Sequence, residues 1–336
     1  MNDEILILAI ETSCDDTSAA ILKNDMVLSN IVSSQKIHEI YGGVVPELAS
    51  REHDKLIVPV VKEALSKANI SLTEIGVIAY TRGPGLLGSL LVGSSFAKSL
   101  SISLNIPIIE INHMQAHILS IYIKDNISSP KFPFLALTVS GGHTQLVRVE
   151  SAVNFKELGA TLDDAAGEAF DKCGKMIGLD YPAGPIIDNL AKNGNPKSFK
   201  FSKPRVEGLN FSFSGLKTNF KNFINSKSDQ FIKSNMNDLC ASLQNTIVEI
   251  LIDKIKKAYN KHDIPHFVIC GGVSANSFLR HKLKELEISD NIYTYFPKVS
   301  YSTDNAAMIG IAAYFKFKQS IFGKLTDQST SRYPIS

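Results

Sequence analysis

The order strand, polar turn, strand occurs twice in this chain, and this repeat constrains the fold more than any other feature. In the first copy, the apolar run Ile5–Ile10 and a second run at Ala19–Leu22 flank a polar turn. In the second copy, Phe134–Val139 and Gln145–Val149 flank the turn at residues 140–144. Self-similarity of this kind indicates a duplicated architecture.

Strands and helices alternate along the rest of the chain, which predicts an α/β fold. Helices are predicted at residues 49–68, 87–104, 162–177, 186–191, 237–259, 275–287 and 304–316. Further strands are predicted at residues 26–32, 77–80, 106–111, 267–270 and 292–296. A polar stretch with two prolines at residues 124–133 predicts a boundary between two lobes.

Composition predicts an ordinary globular protein with a sizeable core, since 44% of its 336 residues are hydrophobic and 20% are charged. No apolar run approaches the ~18 residues of a membrane span, so we expect no membrane partner. The N-terminus is acidic at residues 1–4 and lacks the features of a signal or transit peptide, so we expect a cytoplasmic protein. The spacing of the four cysteines suggests neither a zinc ribbon nor a disulfide framework, and we expect reduced thiols.

Residues 192–233 form a basic segment that contains nine Lys or Arg residues and two acids, Glu207 and Asp229. Because the whole chain has 35 basic and 33 acidic residues, 26 basic and 31 acidic residues remain elsewhere. Seven phenylalanines lie among the lysines, and basic groups with interleaved aromatics suit a nucleic-acid surface. The alternative is a Lys-rich surface insertion whose phenylalanines are core.

Two histidines four residues apart, His113 and His117, follow the predicted strand at residues 106–111. Asn112 is a favourable N-cap residue, and a helix beginning there would place both imidazoles on one face. The pair could bind a metal or could be two ordinary surface or core histidines. A zincin peptidase needs Glu directly after the first histidine, and Met114 occupies that position, which disfavours a metallopeptidase.

Asp304 lies at the start of a predicted helix and has two possible roles. Its carboxylate could cap that helix, as Asp often does. It could instead complete a two-histidine, one-carboxylate set, a combination that suits ferrous iron or zinc.

Two glycine turns could approach a ligand closely. Ser140-Gly141-Gly142 could direct backbone N–H groups at an anion or could be a plain hairpin turn. Gly271-Gly272 lies between a strand and a helix, and Asn276 just beyond it could contact a base or ribose, although a ligand-free tight turn has the same pattern. The Ser140-Gly141-Gly142 turn and the equivalent turn of the first repeat, which carries Glu11, Asp15 and Asp16, resemble a phosphate clamp between lobes.

The predicted helix at residues 162–177 carries acids at Asp164, Glu168 and Asp171, spaced to lie on one face. A solvated acidic stripe is one interpretation. The other is that Asp171 contacts a ribose or amino group.

Six ordered motifs make the whole chain resemble a known family, the universal tRNA threonylcarbamoyladenosine synthases, formerly called O-sialoglycoprotein endopeptidases. The motifs are Ile10-Glu11-Thr12-Ser13-Cys14-Asp15-Asp16-Thr17, Arg82-Gly83-Pro84-Gly85-Leu86, Val139-Ser140-Gly141-Gly142-His143-Thr144, Phe213-Ser214-Gly215-Leu216-Lys217-Thr218, Gly271-Gly272-Val273-Ser274-Ala275-Asn276 and Thr303-Asp304-Asn305-Ala306-Ala307. The resemblance implies the two-lobed fold of the actin, Hsp70 and sugar-kinase superfamily, with a duplicated core and a nucleotide cleft.

The resemblance also implies a reaction. The threonylcarbamoyl group of L-threonylcarbamoyladenylate would move to N6 of the adenosine beside the anticodon, on its 3′ side, in tRNAs that read ANN codons, and AMP would be released. His113, His117 and Asp304 would bind one divalent metal, usually Fe²⁺ and alternatively Zn²⁺. The adenylate would be bound by Thr138, Val139, Ser140, Gly141, Gly142, Asp171, Gly184, Asp188 and Asn276. No catalytic side chain is assigned beyond the metal and positioning, with Glu11 as the candidate.

Under this resemblance we expect two lobes and several partners. Residues 1–124 plus 299–336 would carry the metal ligands and the first phosphate-type loop. Residues 125–298 would carry the adenylate loops and the basic insertion 192–233. The expected partners are tRNA, the adenylate, a non-catalytic paralogue and a small ATPase of the same modification pathway.

Two departures from the family pattern bear on the site. Between the histidines the family usually has an acid and a glycine or alanine, and this chain has Gln115 and Ala116, so a charge near the metal is lost. The usual Pro-Gly-Gly-Pro is Pro-Ala-Gly-Pro at residues 182–185, which retains Gly184. Alternative functions are an ATPase or kinase of the same fold and a non-catalytic scaffold paralogue.

Overall fold

The computed structural model describes residues 4–41, 43–125 and 127–336, and for Glu39 the backbone alone. The first three residues, part of the stretch that indicated no signal peptide, lie outside the described residues. So does residue 126, within the predicted boundary at 124–133.

Groups of strands and groups of α-helices follow one another along the described chain. The strands are β1 (Leu6–Glu11), β2 (Asp16–Lys23), β3 (Met26–Ser34), β4 (Val77–Gly83), β5 (Ile108–Asn112), β6 (Phe134–Val139), β7 (Thr144–Ser151), β8 (Asn154–Ala160), β9 (His266–Cys270) and β10 (Tyr293–Tyr295). The helices are α1 (Ile37–Tyr41), α2 (Pro46–Ala68), α3 (Leu87–Leu104), α4 (His113–Leu119), α5 (Ala166–Met176), α6 (Ala183–Ala191), α7 (Ser214–Asn225), α8 (Asp229–Ser234), α9 (Met236–His262), α10 (Ser277–Ser289) and α11 (Ala306–Lys318).

The two sheets have the same strand order, which confirms the duplication. The first sheet has the order β3-β2-β1-β4-β5 and the second β8-β7-β6-β9-β10. In each, the first strand of the repeat pairs antiparallel with the next strand along the chain, β1 with β2 and β6 with β7. It also pairs parallel with a later strand, β1 with β4 and β6 with β9. The loops after β1 and after β6 therefore occupy equivalent positions.

Apolar residues explain why these strands lie at the centre of each sheet. All six residues of β6 are buried, and five of the six in β1 are. Central strands covered on both faces read as continuous hydrophobic runs, as these two do.

The chain divides into two compact units. Unit 1 consists of Met1–Ser129, Glu150–Phe155 and Pro297–Ser336, and it contains the first sheet with helices α1 to α4 and α11. Unit 2 consists of Pro130–Val149 and Lys156–Phe296, and it contains most of the second sheet with helices α5 to α10.

Two helices of the basic segment were not predicted. Helix α7 and all but the last residue of α8 lie within it, and on α7 the residues Leu216, Phe220 and Ile224 recur every four positions and are buried. This spacing buries one face of the helix, and the abundance of lysine obscured it. The fully buried phenylalanines of the basic segment belong to the hydrophobic core of unit 2, as the alternative interpretation expected; they are Phe211, Phe213 and Phe220.

Helix α5 begins at Ala166, so the prediction that Asp164 lies on this helix is wrong. Asp164 precedes the helix and accepts hydrogen bonds from Lys172 and Lys217. The three acids therefore do not form one helical stripe, and only Glu168 and Asp171 are on α5.

One helix of the described residues, α3, is long and apolar enough to cross a membrane, although no apolar run of that length was expected. Its 18 residues are 33% buried. This is weak evidence for a membrane span, because the core helix of a soluble protein passes the same test.

All four cysteines are free thiols. Burial raises the pKa of Cys14, Cys173, Cys240 and Cys270 above the usual thiol value. Neutral buried thiols are poor nucleophiles, so the buried Cys173, Cys240 and Cys270 are packing groups, whereas Cys14 is half-buried.

Candidate metal centre and adenylate-binding loops

Helix α4 carries the two histidines directly after strand β5. The Asn112 side chain accepts hydrogen bonds from Met114 N at 2.9 Å and Gln115 N at 3.2 Å, so the predicted N-cap is confirmed. The helix then places His113 and His117 on one face, with ring centroids 4.6 Å apart at 88°. Both side chains are buried.

Asp304 is not the cap of helix α11. Asn305 takes that role, and its Oδ1 accepts a hydrogen bond from Met308 N at 3.1 Å. The carboxylate of Asp304 instead faces the histidines, with Oδ1 at 3.0 Å from His117 Nε2 and 3.4 Å from His113 Nε2. The capping alternative for Asp304 is therefore wrong.

Two imidazole nitrogens and one carboxylate oxygen converge on a single point. The ligand atoms of His113, His117 and Asp304 lie within 4.8 Å of one another, and the two Nε2 atoms are 3.2 Å apart. Nitrogen lone pairs this close need a proton or a cation between them and the carboxylate. The donor set suits Fe²⁺ or Zn²⁺, so the residues fit the expected metal.

Charge pairing governs the protonation of this group. Although burial lowers the pKa of His113, the Asp304 and Glu11 carboxylates raise it well above its usual value. Although burial raises the pKa of Asp304, the His113 and His117 imidazoles lower it well below its usual value. Because a metal binds the deprotonated imidazole, His113 would have to release its proton for a metal to bind.

Glu11, the candidate catalytic residue, lies behind His113. Its Oε2 is 3.2 Å from His113 Nδ1, and it also accepts a hydrogen bond from the Thr81 hydroxyl. Its Oε1 accepts from Ser13 N at 2.5 Å. A carboxylate that accepts from Nδ1–H fixes the tautomer in which Nε2 is free to bind a metal.

The glycine loop after β6 borders a second group of predicted residues in unit 2. Parallel pairing sets Thr138 opposite Cys270, so the turns after β6 and β9 lie side by side at one sheet edge. An added Cβ at Gly141 or Gly142 would meet nothing within 4 Å among the described residues. Gly167, in the first turn of helix α5, donates from its N–H to Ser140 O at 3.1 Å.

Hydrogen bonds connect the remaining predicted adenylate residues to this loop region. Asp171 on α5 accepts from Ala183 N at 2.8 Å, which ties it to the start of α6 and to Gly184. Farther along α6, Asp188 accepts from the Ser277 hydroxyl at 2.8 Å. Ser277 follows Asn276, so the predicted adenylate residues are linked through α5, α6 and the start of α10.

Asn276 already uses both ends of its amide. Its Oδ1 caps helix α10 by accepting from Leu279 N at 2.9 Å, and its Nδ2 donates to Gln244 Oε1 at 2.6 Å. The predicted base or ribose contact could use only the remaining hydrogen and lone pair of this side chain.

Two buried hydroxyls near these turns have no hydrogen-bond partner among the described residues, Thr138 Oγ1 and Ser274 Oγ. Buried polar groups are usually paired, so such atoms mark positions where a ligand or water supplies the partner. Together with the open glycines, they make this region suitable for a nucleotide.

Sequence reasoning missed the supporting residues of the metal centre. Ser13 and Thr81 bond Glu11, and Gln115 donates to Ile335 O at 2.8 Å rather than facing the ligand atoms. No periodicity marks such contacts. The cap of helix α11 did have a local signal, because Asp304 and Asn305 both precede the apolar run. Asn and Asp are equally good caps, so this signal did not distinguish between them.

Curated relatives align with this chain over nearly its whole length. A family profile described as "TsaD: tRNA N6-adenosine threonylcarbamoyltransferase" matches residues 26–311. A protein of that name from Christiangramia forsetii is 57% identical over 338 residues, covering 99% of each chain. One from Riemerella anatipestifer is 54% identical, covering 98% of each.

Solved structures of other proteins share the fold at low identity. Full-length HypF in its phosphate- and nucleotide-bound form covers 96% of this chain and 48% of its own, with a TM-score of 0.64 and 13% identity. Component A of the (R)-2-hydroxyglutaryl-CoA dehydratase of Acidaminococcus fermentans covers 94% and 99%, with a TM-score of 0.54 and 14% identity. With the duplicated sheets, these similarities confirm the predicted fold class of the actin, Hsp70 and sugar-kinase superfamily.

Proposed function

The chain belongs to the tRNA N6-adenosine threonylcarbamoyltransferase family, and on that premise we propose how its residues carry out the transfer. It is an acyltransferase that moves threonylcarbamoyl from L-threonylcarbamoyladenylate to N6 of the adenosine 3′ to the anticodon in tRNAs reading ANN codons. AMP is the other product. The observation that carries this conclusion is the 57% identity with a protein of that name over 99% of the chain.

One divalent metal, Fe²⁺ or alternatively Zn²⁺, is proposed at His113, His117 and Asp304. The support is the convergence of their ligand atoms within 4.8 Å. When bound, such a metal supplies a Lewis acid that stabilises negative charge on a substrate oxygen.

The glycine loop is proposed to hold the adenylate phosphate. Open space above Gly141 and Gly142 lets backbone N–H groups approach an anion. The nearby first turn of helix α5 adds the positive end of a helix dipole. Thr138, Val139, Ser140, Asp171, Gly184, Asp188 and Asn276 complete the proposed adenylate site.

The substrate is already a mixed anhydride, so the enzyme needs no nucleophilic side chain. N6 of the adenosine attacks the carbamoyl carbon, the bond from that carbon to the phosphate oxygen breaks, and N6 loses a proton. Positioning of the two reactants can supply several kcal/mol of the barrier reduction. Glu11 is proposed as a positioning residue for His113, since its two oxygens are occupied by His113, Ser13 and Thr81.

The direct test is transfer in a purified system. The protein, its metal, unmodified tRNA and chemically made threonylcarbamoyladenylate should yield modified adenosine by mass spectrometry, with one AMP per modification. Hydrolysis of ATP without modification would favour the ATPase or kinase alternative. Stimulation of another synthase without its own metal-dependent transfer would favour the scaffold alternative.

The tRNA substrate is proposed to contact the basic segment 192–233. Lys197 and Lys200 are exposed, and no described acid pairs with them. Lys203, in contrast, is neutralised by Glu249 at 3.2 Å and Asp253 at 2.9 Å. The phenylalanines of the segment pack against one another, so its contribution is charge rather than base stacking.

A matched pair of variants tests this surface. Lys197→Glu with Lys200→Glu should weaken tRNA binding and reduce the steepness of its salt dependence. Lys203→Glu should change binding less, because its charge is already paired. Equal affinities for all three proteins at low salt would contradict the proposed surface.

Protein partners are proposed to be a non-catalytic paralogue and a small ATPase. Helix α3 offers a docking surface, since Leu87 and Leu91 lie one turn apart and are 49% and 48% exposed. Leu91→Glu should reduce co-purification with the paralogue without changing the metal content.

A further inference from the structure

The segment after helix α11 runs along unit 1 although residues 319–336 form neither helix nor strand. Gly323 N donates to Ile108 O at 2.8 Å, at the start of β5. Thr330 N donates to Arg82 O at 3.0 Å, at the end of β4. Near its end, Ile335 is buried, with 3% of its surface exposed. An irregular segment this well bonded is a fixed part of the unit.

Side chains of β4 and β5 fasten the segment. Arg82 donates from Nε to Gln328 O at 2.9 Å, and its guanidinium lies 4.9 Å from the centre of the Tyr333 ring. The Tyr333 hydroxyl donates to Glu110 Oε1 at 3.2 Å, and Glu110 also pairs with Arg82. Gly83 permits the close approach, since an added Cβ would lie 2.1 Å from Thr330 O.

The last contacts of the segment are with the helix that carries the histidines. Asn112 donates from Nδ2 to Pro334 O at 2.8 Å and lies 3.3 Å from Tyr333 O. Gln115 donates from Nε2 to Ile335 O at 2.8 Å. All three partners are carbonyl oxygens, so both side chains must act as donors.

Helix α4 needs such anchors because it has only seven residues. Helices shorter than roughly 12 residues are marginal by themselves, and their orientation depends on tertiary contacts. A rotation of α4 would move both imidazole Nε2 atoms away from Asp304 at once.

We propose that residues 328–335 are a positioning element of the metal centre, which fixes helix α4 by accepting hydrogen bonds from Asn112 and Gln115. This explains the glutamine between the histidines. A carboxylate at that position could not donate to the Ile335 carbonyl, whereas the amide can. The inference rests on the proposed metal site.

Two substitutions remove the donors and leave the rest of α4 intact. Gln115→Glu replaces the amide with a near-isosteric group that only accepts. Asn112→Asp keeps an oxygen to cap the helix but loses the donor to Tyr333 and Pro334. Gln230→Glu is the matched control, because Gln230 is exposed on helix α8 of unit 2 and belongs neither to the segment nor to α4.

The measurements are the Kd of Co²⁺ and Zn²⁺ by chelator competition, the Co²⁺ absorption spectrum, and hydrogen exchange of residues 328–335. We expect each donor variant to bind metal about 10- to 100-fold more weakly, as when a group that orients a ligand is lost. Exchange of the segment should accelerate, and the Co²⁺ spectrum should change. The added negative charge of either variant would by itself favour the cation, so a loss of affinity reports geometry. Gln230→Glu should behave as the unmodified protein.

Three results would overturn the proposal. They are faster exchange with unchanged metal affinity, weaker affinity with unchanged exchange, and no change in either. Circular dichroism of the metal-free variants checks that the fold is retained, and Asn112→Asp serves if Gln115→Glu does not fold. The unmodified protein tests the metal site itself, because its failure to bind metal would contradict the proposed site. Equal metal Kd values for a variant and the unmodified protein would instead contradict the positioning role of the segment.

Discussion

The loops after β1 and β6 occupy equivalent places in the duplicated fold, yet glycine serves opposite purposes around them. The β1 loop has no glycine of its own, and glycines of neighbouring elements let it pack closely. An added Cβ on Gly85 would lie 2.5 Å from Ser13 O, and one on Gly93 would lie 2.2 Å from Thr12 Oγ1. In the β6 loop, Gly141 and Gly142 face open space.

The same contrast holds for hydrogen bonds. The Thr12 hydroxyl donates to Ser89 O at 2.9 Å, and Ser13 O accepts from Leu86 N at 2.8 Å. Next to the β6 loop, the Thr138 hydroxyl is buried without a described partner. The β1 loop is therefore closely packed and hydrogen-bonded beside the candidate metal ligand His113, whereas the β6 loop has open space and a hydroxyl without a described partner, as the proposed adenylate site requires.

The largest effect is expected from removing a candidate metal ligand next to the closely packed β1 loop. His113→Ala and Asp304→Ala should each lose the metal and slow transfer from preformed adenylate by about 100-fold or more, because a Lewis acid supplies several kcal/mol. Metal analysis and single-turnover rates are the measurements. A His113→Ala enzyme that lacks metal and transfers at the full rate would exclude the Lewis-acid role.

The open space at the β6 loop is tested by replacing its glycines with alanine. Gly141→Ala and Gly142→Ala should leave the free energy of unfolding within about 0.5 kcal/mol, since their methyl groups meet no described atom. Binding of AMP and of an adenylate analogue should weaken roughly 10-fold, because the methyl group occupies space meant for the ligand. Calorimetry and urea unfolding report the two quantities.

A contrasting variant of the same loop region is Gly271→Ala. Gly271 has φ of +90°, and a Cβ there would lie 2.4 Å from Val139 O, so this substitution should destabilise the fold itself. Equal unfolding free energies for Gly141→Ala and Gly271→Ala would remove the distinction between open and packed glycines.

The dependence of stability on pH should distinguish the β1 loop region, which contacts His113, from the β6 loop region. The pKa of His113 is raised above 6.5 in the folded protein, so its protonated form stabilises the metal-free fold at lower pH. That contribution is lost as pH rises from about 6.5 through the folded pKa. The Tm of metal-free protein should therefore fall as pH rises above about 6.5, while metal affinity should rise as the proton leaves.

Glu11→Gln sharpens this measurement. With one carboxylate neutralised, the pKa of His113 should be less elevated, so the fall in Tm should be smaller and should end at lower pH. The Gly141→Ala variant should retain the original profile. A metal-free Tm that is independent of pH in this range would contradict the described pairing of His113 with Asp304 and Glu11.

The smallest expected effect concerns the separate roles of Asp304 and Asn305 at the start of α11. Asn305→Ala should cost about 1 kcal/mol of stability through loss of the N-cap, and it should leave the metal ligands in place. Chemical unfolding and metal content are the readouts. If Asp304→Ala cost as much cap stability as Asn305→Ala, the assignment of separate roles would be wrong.

Much of the architecture was predictable from the sequence because the relevant signals are local. The predicted bounds of α3 and β6 agree with the structure, and most other elements differ by a few residues at their ends. Helix α7 was missed because lysines hid the four-residue spacing of its buried apolar groups. Helix α8 was missed because it has only six residues and buries none of them. The ligand residue types were likewise visible as a histidine pair and a carboxylate.

The sequence by itself determined the duplicated strand and turn pattern, the capping residue before the histidines and the chemical types of the ligands. Only the tertiary structure decided that Asp304 faces His117, 187 residues away, while Asn305 caps the helix. It also decided that Gln115 bonds the Ile335 carbonyl. The physical reason is that neighbouring residues with similar local preferences are assigned different roles only when distant strands and helices pack and bring particular donors and acceptors into reach.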